Sequence, residues 1–213
     1  MRDDILHTEG PIFGFLDKVG QMILLSLVWI LGCLPVVTIV TSTTALYYAV
    51  MKNIRREYGT AMREFWSSYR ANLKRGIPIT VLGLLVSGIL VWNIHLMTQP
   101  GQGNNLLLWG SVILLMLLCA MAVYICPVLS RFQMKAGAAC KLAFVMAIRF
   151  LPITVLLAVG TVALVYLQIY VLPMPTVVLL PSLWCWATTF LMEKALRKFM
   201  PPKEENDDSW YYQ

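Results

Sequence analysis

The carboxylates of this chain are Asp3, Asp4, Glu9, Asp17, Glu57, Glu64, Glu193, Glu204, Glu205, Asp207 and Asp208. None falls in the middle of a long apolar run, and none pairs with another as a general acid and base must. Five cysteines, Cys33, Cys119, Cys126, Cys140 and Cys185, are scattered through apolar segments with no CxxC spacing and no histidine cluster. Neither a zinc site nor a disulfide framework is predicted, and the thiols read as small buried hydrophobes. His95, near Asn93, falls at the end of an apolar stretch and reads as interfacial rather than as a ligand. An enzyme is therefore not expected, and no cofactor is implied. An ion-coupled transporter also loses weight, because it usually keeps an ionisable group at mid-membrane.

What remains polar within the apolar chain is the run Pro35, Thr38, Thr41, Ser42, Thr43 and Thr44. Such a run could line a polar cavity at a broken helix. The competing reading is that its hydroxyls bond back to helix carbonyls or pack against a neighbouring helix.

The elements that must position these groups follow from composition. The chain has 213 residues, 59% of them hydrophobic and 13% charged, with a formal net charge of +6. Its mean hydropathy is +0.70. A soluble domain of this length could not hide that much apolar surface, so the chain is predicted to be an integral membrane protein. The acidic N-terminus does not read as a cleavable signal peptide. One transmembrane helical domain over 1–200 is expected, followed by a short cytoplasmic tail, 201–213.

A spanning helix needs about 20 mainly apolar residues. Segments 77–97, 105–129, 151–172 and 176–192 meet that requirement. Residues 14–56 would make one helix of roughly 65 Å, twice the bilayer core, and must break. Gly32 and Pro35 mark the break and divide the stretch into spans 14–34 and 36–56. The expectation is an all-α, polytopic protein of six spans, with five as the alternative. The stretch 52–75 holds seven basic residues and 131–149 holds four without an acid, whereas the intervening loops are uncharged. By the positive-inside rule both termini and both basic segments are cytoplasmic.

Those basic segments, 59–75 and 131–149, are predicted as amphipathic elbow helices at the membrane surface. In the first, Met62, Phe65, Trp66, Tyr69 and Leu73 share one helical face, with Arg63, Arg70, Lys74 and Arg75 off it. In the second, Arg131, Lys135, Gly137, Lys141 and Arg149 are the candidate contacts. Each elbow precedes the pentapeptide PITVL, at 78–82 and 152–156. The pattern predicts a span–elbow–span repeat in which each proline opens the first turn of a span. Membrane lipid is the expected partner of the elbows, and nucleic acid is not expected.

The stretch GFLDKVGQMILLSLVWILGCLPVVTIVTSTTALYYAVMKNIRREYG, followed by MREFWSSYRANLKRG, resembles the YesL-like family of bacterial membrane proteins. The resemblance lies in the apolar first span, the Leu-Pro turn, the Ala-Leu-Tyr-Tyr helix and the aromatic–basic segment. It implies a multi-pass protein of the bacterial plasma membrane. It also implies association with a carbohydrate ABC importer, through the permease subunits or the solute-binding lipoprotein. The expected role is an accessory or scaffold subunit. The alternative is an autonomous small-solute transporter or channel using the polar break at 38–44. The second elbow is only faintly similar to the coupling loop of importer permeases, since its Glu is missing and its spacing is off. A sensor or regulator acting through the elbows and tail is a third reading.

Overall fold

The computed structural model describes residues 11–55, 60–99, 105–132, 134–170 and 178–196. The acidic residues before position 11, Gly59 and the tail 201–213 lie outside them. Every element among the described residues is helical. They are α1 (Pro11–Cys33), a 3-10 turn (Val36–Thr38), α2 (Ile39–Ala49), a π-helical segment (Val50–Arg55), α3 (Ala61–Met97), α4 (Asn105–Arg131), α5 (Ala136–Arg149), α6 (Leu151–Tyr170) and α7 (Leu180–Leu196). Four helices, α1, α3, α4 and α6, are long and apolar enough to cross a membrane.

The predicted break after α1 is present. The helix ends at Cys33, and Pro35 leads into the 3-10 turn with an extended backbone. Thr38 holds the turn by donating its hydroxyl to the carbonyls of Gly32 at 2.8 Å and Pro35 at 2.7 Å. The rest of the predicted second span is a 3-10 turn, an α-helix and a π-helical segment in succession.

α2 is the centre of the molecule. Thr41, Ser42, Thr44, Ala45, Leu46, Tyr47 and Ala49 are all buried, against α1, α3, α4 and α7. Small side chains let the backbones close in. A Cβ on Gly76 of α3 would collide with Thr41, and one on Gly32 would lie 2.6 Å from the Ser42 hydroxyl. The interior mixes apolar side chains with hydroxyls, and the surface is far more apolar than that of a water-soluble bundle. Serines and threonines are inside, while Leu82, Leu85, Ile89, Ile113, Val162 and Ile169 are exposed. In lipid there is no penalty for apolar exposure, and interfaces favour small and hydroxyl-bearing residues.

α3 corrects the predicted repeat. The first elbow and the span after it are one helix of 37 residues, with Pro78 inside it rather than at its first turn. At 1.5 Å per residue the helix is about 55 Å long, well beyond the bilayer core of about 30 Å. No helix breaker interrupts 61–75, and α2 packs along this half of the helix. Lys52 pairs with Glu64 at 2.8 Å near one end, and Thr41 meets Gly76 near the other. The predicted second span thus lies beside the predicted first elbow, antiparallel to it. The second PITVL behaves as expected. Phe150 leaves helical geometry at φ −112°, ψ 38°, and Pro152 falls in the first turn of α6. There its missing N–H has no helical carbonyl to serve.

Candidate functional site

Of the face predicted for the basic half of α3, Phe65 alone is fully buried in the protein. Ala61, Phe65, Ser68, Asn72 and Gly76 face inward, at helical spacing. Asn72 is held by its amide, which donates to the Ser68 carbonyl at 3.0 Å. Phe65 is fully buried and so is a core residue, whereas Met62 and Trp66 are exposed and Tyr69 is half-buried. Small and polar residues make up the rest of the inward face, and at Gly76 the close approach of Thr41 on α2 leaves no room for a larger one. The exposed side carries Arg63, Arg70 and Lys74, with Arg75 half-buried. Arg70 sits 5.2 Å from the Trp66 ring, and Trp66 stacks on Tyr69 at 5.5 Å. The stack holds a guanidinium over an aromatic face, a cation–π arrangement.

The second elbow is a separate helix, as predicted, but it begins at Ala136 rather than 131. Arg131 belongs to the last turn of α4 and is not a surface cation. It donates to Glu193 of α7 at 2.6 Å, and the two side chains are 1% and 4% exposed. This buried pair escaped the sequence reading. Its one available signal was an isolated Glu at the end of a long apolar run, without an obvious partner nearby in sequence. The alanines Ala139, Ala143 and Ala147 pack inward with Met146. Lys135, Gly137, Lys141 and Arg149 are exposed, as are Phe144, Val145 and Ile148. Burial pushes the Cys140 thiol on this helix above its ordinary value, which keeps it protonated and poorly nucleophilic at neutral pH.

The hydroxyl run is tied up locally. Ser42 donates to the Trp29 carbonyl at 3.1 Å, Thr43 to that of Ile39 at 2.8 Å and Thr44 to that of Val40 at 2.7 Å. Thr43 also accepts from the Trp29 indole at 3.2 Å. Thr41 is buried with no hydrogen-bond partner for its hydroxyl among the described residues. Thr43 of this group lines a crevice of about 470 Å³ between α6 and the core that also touches Tyr47, Thr161, Gln168 and Thr188. Two further polar links join distant parts of the chain. Ser26 of α1 and Ser182 of α7 share a buried hydrogen bond of 2.7 Å, and Tyr124 of α4 meets Thr154 of α6 at 3.0 Å.

Among the described residues no three His, Cys, Asp or Glu side chains gather. The arrangement can therefore bind and pack through apolar, aromatic and cationic surfaces. Residues 22–94, from α1 to near the end of α3, match a family model described as a protein of unknown function, DUF624. No curated protein and no solved structure matches the chain.

Proposed function

We propose that this protein is a non-enzymatic accessory or scaffold subunit of the bacterial plasma membrane. Its partner is a carbohydrate ABC importer, engaged through the permease subunits or the solute-binding lipoprotein. The observation that carries the scaffold reading is the division of surfaces. Most hydroxyls of the 38–44 run are committed to backbone carbonyls, while the aromatic–cationic face of α3, Lys135 and Lys141 remain exposed. A protein built to present surfaces needs that division. The choice of importer comes from the YesL-like resemblance and is an analogy of family.

In this reading the basic half of α3 and the helix α5 face the cytoplasm, with α2 packed beside that half of α3. Co-purification from native membranes at native expression tests the partnership. Importer subunits should be retained by the wild type and lost from Arg63→Glu/Arg70→Glu. Recovery strictly as a lone monomer or homo-oligomer overturns the proposal.

One observation favours the autonomous transporter as a second reading, namely the crevice at Thr43. Liposomes containing only this chain decide it. Sugar flux above protein-free vesicles would support transport, and its absence for every sugar tested would remove it.

A further inference from the structure

A second crevice, of about 590 Å³, opens between α3 and α4. Its walls run along Pro78–Ser87 of α3 and Leu115–Ile125 of α4, and Ile39 and Val40 of α2 line it as well. Both walls belong to helices that are long and apolar enough to cross the membrane. One part of the lining is the first turn of α5, at Ala136, Gly137 and Cys140.

Four cations stand within a helical turn, along the chain, of residues that line the crevice. Lys74 precedes Pro78 by four residues and Arg75 precedes Ile79 by four, so each stands one turn from a lining residue on the same face of α3. Lys141 stands in the same relation to Gly137 on α5, and Lys135 is the residue immediately before its first turn. No side chain caps that turn, so its N–H groups add positive potential to the four side chains. Among the described residues none of the four forms an ion pair, and no carboxylate lines the crevice.

We propose that this crevice binds an anionic diacyl phospholipid. One acyl chain lies between α3 and α4, and the phosphate lies among Lys74, Arg75, Lys135 and Lys141. An apolar slot within the bilayer selects hydrocarbon, and unpaired cations at one end select an anionic headgroup over a zwitterionic one. The site goes beyond the scaffold reading and does not require an importer partner.

The test is native mass spectrometry of the full chain in non-ionic detergent, titrated with dioleoyl phosphatidylglycerol or dioleoyl phosphatidylcholine. Wild type should retain the glycerol lipid at least about tenfold better. Lys74→Gln/Arg75→Gln/Lys135→Gln/Lys141→Gln should abolish that preference, whereas Arg63→Gln/Arg70→Gln, on exposed cations away from the crevice, should keep it. Gly83 lines the crevice and has no atom within 4 Å of where a Cβ would sit, so Gly83→Leu projects a side chain into the slot from a position with room for its Cβ. That variant should lose retention of both lipids. Equal retention of the two lipids by wild type overturns the site. So does persistence of the preference in the fourfold variant, its loss in the Arg63/Arg70 control, or undiminished retention in Gly83→Leu.

Discussion

Single residues set how closely the central helices approach. The Thr41 Cα lies 3.2 Å from where a Gly76 Cβ would be, so even alanine there must push backbone aside. Gly76→Ala is expected to destabilise by about 1–3 kcal/mol, the usual cost of overpacking. Thr41→Ala should be near neutral, because its buried hydroxyl has no partner to lose. In the double variant the hydroxyl clash is gone, and the two changes should cost less together than their sum. Thermal unfolding of the four proteins in one detergent measures that coupling. The buried pair of Arg131 and Glu193 gives a second expectation at this scale. Glu193→Ala removes the carboxylate that the buried Arg131 guanidinium meets at 2.6 Å and should cost about 3–5 kcal/mol, with Arg131→Met/Glu193→Leu recovering much of it. Equal losses in the single and double variants would show that the pair is not coupled.

At the scale of elements, two identical pentapeptides have two structural outcomes. Pro78 sits within a continuous helix, where it deprives the Lys74 carbonyl of its N–H partner, whereas Pro152 sits in a first turn. Pro78→Ala is therefore expected to raise stability by on the order of 1–3 kcal/mol. Pro152→Ala should change it by no more than about 0.5 kcal/mol. Paired unfolding curves check the contrast, and equal effects would mean that the two helices begin alike. The difference was not legible in PITVL itself. It comes from what packs upstream: α2 and the π-helical segment after it support α3 along 64–76, while α5 lies against α4 and ends at the non-helical Phe150. A local rule about proline was overridden by a neighbouring helix that kept the chain straight enough to continue.

At the scale of the whole molecule, orientation is the open physical variable that labelling can read. The charge distribution predicts that the α4 start faces outward and α5 faces the cytoplasm. In a cysteine-free background, Asn105→Cys should react with an impermeant maleimide from outside intact cells. Arg63→Cys and Arg149→Cys should react only after lysis. Reversal of that pattern would invert the topology and move both basic surfaces away from any cytoplasmic partner.

Membrane character, helical class, the break at Gly32–Pro35 and the basic stretches were all determined by the sequence alone. Each depends on local composition: hydropathy over a span's length, φ restriction at proline, and charge next to an apolar run. The tertiary structure alone decided which face of 61–75 turns inward, that Phe65 is core, that Arg131 is buried on Glu193, and that the hydroxyls of 38–44 are mostly committed to backbone carbonyls. It also decided that Pro78 and Ile79 of α3 and the first turn of α5 line one crevice. The physical reason is the bilayer. Because lipid accepts apolar faces at no cost, hydrophobic periodicity no longer marks the inside of a membrane helix. The inward faces are chosen by small-residue packing and hydrogen bonds between segments far apart in the chain.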